Sequence, residues 1–325
     1  MKNKFKMSMA IMLIGGLFAG CEVDDPLTTG GSGNTTFSSA QAYLKSKAPG
    51  TQRFSKDASN RFTIKSANGL HYRFRPNAFK TSAGQIVTGQ VNIELTEYLN
   101  KADMVFSGVT TTSGSEFLES GAMFNIKATQ NGRELLLVDD YRVQVPSQDQ
   151  DPNMIIFQGE EVEDSAGTSV NWVPSKTSTV VRDTTQGDTT WSDTTYDPGY
   201  YYTLQIRFLS WCNLDRYWNS STGSPIRVKI KESGKEGAIV YVAIKTLNGV
   251  VTLRYYPTLG EFNSSKYNLP HGWDITIIVV YVDKVKKQLE YAWIDSQTRD
   301  NHLEEVDKLT VISEADLEAL VKTLQ

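Results

Sequence analysis

Few residues in this chain have the types and spacing that make or break bonds. Its 325 residues include two cysteines, Cys21 and Cys212, and three histidines, His71, His271 and His302. The histidines are far apart, and no paired His or Cys spacing accompanies them, so no metal site and no cofactor are expected. A nucleophile elbow, a phosphate-binding glycine loop and a metalloprotease helix are all absent from the sequence. Cys212 stands between Trp211 and Asn213 with no recognisable base, and reads as a small buried hydrophobe rather than a nucleophile. Glu160, Glu161 and Glu163 could supply carboxylate chemistry, but a glycosidase pair is defined by separation in space, and this run reads as a solvated loop. No catalytic residue is assigned, and the chain is not expected to be an enzyme.

The densest group of polar and aromatic residues lies later. All six tryptophans fall between Trp172 and Trp293. Tyr200-Tyr201-Tyr202 is followed by Trp211-Cys212-Asn213-Leu214-Asp215-Arg216-Tyr217-Trp218. Aromatic rings stack on sugar faces, and Asp and Arg bond hydroxyls, so Tyr202, Trp211, Asp215, Arg216 and Trp218 form a candidate ligand-binding set. Large aromatics also fill β-sandwich cores, and Asp215 with Arg216 could pin a loop by pairing with neighbours; core packing is the preferred reading.

Between Arg182 and Asp197 the triplet Asp-Thr-Thr recurs at 183, 188 and 193, with Pro198-Gly199 at its close. Many Thr and Asp with few apolar residues argue for an exposed connector. Asp at five-residue intervals could also ligate calcium, though only Gly187 offers the needed turn. A plain hairpin, with Thr alternating around Trp191, is a further alternative. The triplet resembles the acceptor pattern of the Bacteroidetes O-glycosylation system. That resemblance implies glycans on Thr184, Thr189 and Thr194, and on Ser165 in Asp164-Ser165-Ala166.

The elements that carry these residues begin behind an export signal. Lys2, Lys4 and Lys6 precede an apolar run of 12 residues, Met7 to Phe18, which ends in Ala19-Gly20-Cys21. A spanning helix needs about 20 residues, so a cleaved signal fits better than a membrane anchor. The segment resembles the lipobox of bacterial lipoproteins, with Phe18 where that family usually has Leu. The resemblance implies an acylated Cys21. Glu22, Asp24 and Asp25 follow, and resemble the signal that sends Bacteroidetes lipoproteins to the outer face of the outer membrane. Residues 21–41, rich in Gly, Thr and Ser, are expected to form a flexible tether.

The chain carries 33 Lys and Arg against 37 Asp and Glu. Removing the three signal lysines leaves 30 against 37, a net charge of −7 for the mature form. So acidic a chain is a poor partner for nucleic acid. With Cys21 acylated, Cys212 has no disulfide partner, and the fold must rest on its core alone.

The body reads as all-β. Leu70, Tyr72 and Phe74 alternate with His71, Arg73 and Arg75, and Val91, Ile93 and Leu95 alternate with Asn92, Glu94 and Thr96, as in strands with one face in water. Asn131-Gly132 predicts a hairpin turn. Tyr141–Val145, Met154–Phe157 and Val170–Val173 predict further short strands. Leu204–Phe208 and Ile226–Ile230 alternate, the latter presenting Arg227, Lys229 and Lys231. Ile239–Ile244 and Ile275–Val282 are apolar almost throughout, as in strands covered on both faces. Ser313 and Asp316 resemble a capping box, and Leu317, Leu320, Val321 and Leu324 share a face, predicting a short C-terminal helix.

Phe74-Arg75-Pro76-Asn77-Ala78-Phe79, with Gly84, Val87, Gly89 and the strand Val91–Leu95, resembles part of the β-sandwich domain shared by ankyrins and netrin receptors. It is also similar to uncharacterised Bacteroidetes lipoproteins, whose Trp-Asn-Asp-Arg-aromatic motif the 211–218 segment resembles. In that sandwich an aromatic plugs the core after a turn, the role that falls to Phe79. Such domains join proteins to one another, so the resemblance implies an interaction module.

The expected organisation is two β-sandwich domains in tandem: signal 1–20, tether 21–41, N-terminal sandwich 42–176, connector 177–199, and a C-terminal sandwich 200–325 ending in the helix. The expected role is a non-catalytic scaffold or adhesion module at the cell surface, held to the outer membrane by its lipid, with a protein or glycan partner and no nucleic acid. The alternative is a glycan-binding accessory of a nutrient-uptake system that uses the Trp/Tyr surface.

Overall fold

Period-two alternation dominates the sequence, and strands dominate the computed structural model. It describes residues 33–147, 150–164, 167–183, 201–218, 223–264 and 268–324. Among these residues the fold is all-β, with three short helices: α1 (Ala40–Ser46), α2 (Lys101–Ser107) and α3 (Glu314–Val321). Cys21, Ser165, Thr184, Thr189 and Thr194 lie outside the described residues, as do most of the connector and the signal.

The first lobe is a sandwich. One sheet runs in the order Gln52–Asp57, Gln90–Tyr98, Glu116–Gln130, Trp211–Trp218, Ile155–Asp164 and Gly167–Pro174, each strand antiparallel to its neighbour. The facing sheet runs Thr179–Asp183, Tyr201–Ile206, Tyr141–Pro146, His71–Phe74 and Phe62–Lys65. Alternate residues of both meet in one core: Val91, Ile93 and Leu95 from the first sheet, and Tyr72, Phe74, Tyr141, Val143 and Leu204 from the second. Phe79 is fully buried there, its ring 5.3 Å from Phe74. Asn131 and Gly132 hold φ of 51° and 75°, the left-handed pair that a two-residue hairpin turn requires, and Gln130 pairs with Arg133 across it.

The second lobe is one sheet of eight strands, in the order Leu303–Val306, Arg227–Ile230, Glu261–Asn263, Val250–Tyr256, Ile239–Ile244, Asp274–Asp283, Gln288–Gln297 and Thr310–Val311. It curls around its own core instead of forming two facing sheets. Ser296, in the Gln288–Gln297 strand, donates to Glu304, in the Leu303–Val306 strand, at 2.6 Å, so the two sides of the curl come within bonding reach. The apolar runs behave as their composition requires. Val240, Val242, Ile277 and Val279 point into this core, whereas Tyr241, Ala243, Ile278 and Val280 enter a third core shared with the first lobe and the helices.

Strand pairing and hydrogen bonding correct two expected boundaries. Tyr201–Ile206 and Trp211–Trp218, expected in the C-terminal domain, pair inside the two sheets of the first lobe. A strand belongs where its backbone partners lie, and sequence order does not reveal those partners. The expected tether also ends early. Leu289 N–H donates to the Gly33 carbonyl and Thr35 N–H to the Lys287 carbonyl, and Ala40 is buried in α1. Ser39 caps α1 by accepting from Ala42 N–H, so the polar run through residue 41 serves the fold from residue 33 onward.

The α2 helix sits between the lobes. Asn100 accepts from Asp103 N–H while Asp103 accepts from Leu99 N–H, and Gly108 closes the helix at φ 75°. Lys101 is buried, and its ammonium donates to the carbonyls of Ile244 at 2.8 Å and of Lys245 and Leu247 at 3.2 Å each. One charge thus ties the helix to a turn of the second lobe.

Candidate functional site

Strand Trp211–Trp218 is central in its sheet, flanked by Glu116–Gln130 and Ile155–Asp164, and its alternation decides where each side chain goes. Cys212 and Leu214 face the sandwich core, where burial pushes the Cys212 thiol well above its usual pKa and away from thiolate chemistry. Trp211 and Tyr217 pack on the opposite side, against the core shared by the lobes. Between Leu214 and Asp215 the register shifts opposite Gly121, which admits the bulge because its hydrogens leave the Leu214 carbonyl room.

Beside the bulge lies a polar cluster. Asn213 and Asp215 are both fully buried. Ser120 Oγ donates to Asn213 Oδ1 at 2.8 Å, and Asn213 Nδ2 donates to Asp215 Oδ2 at 2.6 Å. Asp215 Oδ1 has no hydrogen-bond partner among the described residues. Burial, aided by the Glu119 charge, pushes the Asp215 carboxyl well above the usual carboxylate range, against the pull of Ser120 and Asn213. The adjacent Asn248 amide donates to the carbonyls of Leu99 and Ser120, carrying the polar seam into the second lobe.

Arg216 is engaged from three sides. Its guanidinium donates to Glu119, through Nε at 2.6 Å, and to Asp151, and it lies 4.7 Å from the Trp218 ring centroid. These acids raise its already high pKa against the effect of burial, so it is a fixed cation. Of the five candidate ligand-binding residues, Asp215 and Tyr202 are buried, while Trp211, Arg216 and Trp218 are half-buried. The rings do not form a platform. Trp211 meets Trp172 at 82°, and Trp218 meets Trp273 at 66°, edge to face, although Trp211 stacks on Tyr98 at 27°.

Two clefts were not foreseen. The larger, of about 690 Å³, lies among α1, α2 and the C-terminal residues, with Lys47, Gln52, Asn68, Glu97, Asp103 and Lys322 on its walls. Glu97 is only 2% exposed and accepts from Tyr72 Oη and Asn68 Nδ2 at 2.8 Å each and from Gln52 Nε2 at 3.2 Å. Three donors hold this carboxylate in place in the cleft floor. Lys47 and Lys322 both pair with Glu318, at 2.7 and 2.6 Å. Burial raises the pKa of Asp103, the other cleft carboxylate. The set offers amide and carboxylate groups to a polar, hydroxyl-bearing molecule. The second cleft, about 330 Å³, includes Glu161, which accepts from Trp211 Nε1 at 2.8 Å. Glu97 falls on the inward parity of its strand, after Val91, Ile93 and Leu95, and its three partners come from other segments, so the strand pattern alone does not reveal its role.

One further trio resembles a nucleophile and its base. Ser224 Oγ lies 2.9 Å from His271 Nε2 and donates to Asp300 Oδ1 at 3.2 Å. In a hydrolytic triad the carboxylate holds the far nitrogen of the imidazole; here it holds the serine itself. A serine that donates to Asp300 takes its other bond from the imidazole N–H, and the group then fastens three segments without activating a nucleophile.

No protein-family model, curated protein or solved structure matches this chain.

Proposed function

We propose that the chain is a non-catalytic lipoprotein, held at the outer membrane by an acylated Cys21, whose β-built body serves as a scaffold or adhesion module at the cell surface. The observation that carries this reading is the use made of the polar residues in the Trp211–Trp218 strand. Asn213, Asp215 and Arg216 bind Ser120, Glu119 and Asp151, and so join strands and loops of the body. Bonded inward, they have little left to offer substrate. The lipobox and the acidic residues behind it support the address, and the Asp-Thr-Thr triplets would carry glycans suited to a surface protein.

A second reading, a glycan-binding accessory of a nutrient-uptake system that uses the Trp/Tyr surface, draws on the incomplete burial of Trp211, Tyr217 and Trp218. Tryptophan emission separates the two readings, with Trp211 and Trp218 as the reporters of the Trp/Tyr surface. Titration of the purified protein with neutral and acidic oligosaccharides is expected to leave the spectrum unchanged. A saturable shift, lost in Trp218→Ala, would replace the scaffold reading with the glycan-binding one.

A further inference from the structure

The first described residues lie beside the most exposed large apolar side chain among the described residues. Val285 is 93% exposed, at the tip of the hairpin between Asp274–Asp283 and Gln288–Gln297. Lys284, Lys286 and Lys287 surround it, all exposed. Asp283 folds the tip by accepting from the N–H groups of Val285 and Lys286, each at 3.0 Å, and its carboxylate pairs with the Lys286 ammonium at 3.2 Å. Glu290, the next acid along the strand, is buried against Lys235 at 2.5 Å, with Lys286 at the edge of reach, 3.9 Å away. Lys284 and Lys287 have no carboxylate partner among the described residues, so the tip keeps a net positive charge around an apolar point.

The start of the body is fastened to this same hairpin. Thr35 N–H donates to the Lys287 carbonyl at 2.8 Å, Leu289 N–H to the Gly33 carbonyl at 2.9 Å, and Asn34 bridges to Gln288. Gly33 lies against Val311, so closely that even a methyl group would collide. Gly33 stands only twelve positions after Cys21. Fully extended, that span reaches about 40 Å, and any shorter path draws the hairpin closer to the bilayer.

We propose that the Asp283–Lys287 hairpin tip is a second membrane contact, in which Lys284, Lys286 and Lys287 meet the anionic phosphate headgroups of the bilayer that holds the acyl chains, and Val285 enters the interface. This inference rests on the acylated Cys21. The chemistry is that of polybasic segments beside a lipid anchor, which add electrostatic attraction to hydrophobic attachment. The contact would set the orientation of the body, turning the hairpin toward the lipid and the remaining surface toward partners.

The test uses the full acylated protein in vesicles of phosphatidylethanolamine and phosphatidylglycerol, with an environment-sensitive fluorophore on Val285→Cys. Cys212 is buried and Cys21 acylated, so the label goes to one site. A label on Ile86→Cys, in the first lobe, is the control. Nitroxide-bearing lipids should quench the Val285 label at least about threefold more than the Ile86 label, and Lys284→Glu with Lys287→Glu should reduce the difference severalfold. Equal quenching of both labels on protein that floats with the vesicles would overturn the hairpin contact and leave the anchor standing. Protein that fails to float would overturn the anchor, and this contact with it.

Discussion

Trp172→Ala is expected to cost about 3–5 kcal/mol of folding stability, the range for deleting a large buried aromatic. Trp172 is fully buried in the core shared by the lobes. Its indole N–H donates to the Thr110 carbonyl at 2.7 Å, and its ring meets Trp211 edge to face with centroids 6.3 Å apart. The alanine leaves both a cavity and a carbonyl without its donor. Gly159 explains why nothing else fills the space: a methyl group there would lie within 3 Å of the Trp211, Val170 and Trp172 side chains. Trp172→Phe should fall between wild type and alanine, because it keeps most of the apolar area and loses the N–H. Denaturant midpoints at constant slope provide the measurement. A loss under about 1 kcal/mol would mean that the shared core does not hold the lobes together.

Asp215→Asn should change the pH dependence of stability as strongly as any single substitution in the chain. Burial raises the Asp215 carboxyl far above the value of about 3.9 expected in the unfolded chain, so between those two values the folded state holds a proton that the unfolded state has lost. The folded state binds more protons, and stability therefore falls as pH rises, by about 1.4 kcal/mol per unit, until the folded pKa is reached. Below the unfolded value there is no penalty. Asparagine resembles the neutral acid and does not titrate. The variant should match wild type near pH 4 and exceed it by a margin that widens as pH rises toward the folded pKa of Asp215. Asp215→Ala should be less stable than Asp215→Asn throughout, because the Asn213 amide loses its acceptor. Parallel pH profiles for wild type and Asp215→Asn would show that Asp215 is ionised in the fold.

Much of the architecture was legible because it depends on neighbours in sequence. The Asn131-Gly132 turn, the apolar strands Ile239–Ile244 and Asp274–Asp283, and α3 with its Ser313 cap all follow from local pattern. Alternation was a poorer guide to water. His71 and Arg73, placed by alternation on a solvated face, are buried, because the face of this strand turned away from the sandwich core is covered as well. Where alternation placed Arg227, Lys229 and Lys231 on a basic face, Lys229 and Lys231 are exposed, and the parallel strand Leu303–Val306 lies alongside, with Lys231 3.0 Å from Glu305 and 2.9 Å from Asp307.

The α1 and α2 helices are only seven residues each, too short to show a repeating apolar face, although Asn100 and Gly108 bracket α2 as caps. The candidate site was legible in residue type and not in use. Arg216 and Asp215 were marked as polar groups able to bind a ligand or pin a loop; their partners Glu119, Asp151, Asn213 and Ser120 come mostly from distant segments. The Ser224, His271 and Asp300 trio left no signal, since its members are 47 and 76 residues from the serine.

The address of the protein is tested most directly by Cys21→Ala, followed by fractionation and by exposure of intact cells to a protease that cannot cross the membrane. Wild type should sediment with the outer membrane and be cut from outside. The variant, which has no thiol to acylate, should leave the membrane fraction. Retention of Cys21→Ala in the outer membrane at the wild-type level would contradict the account.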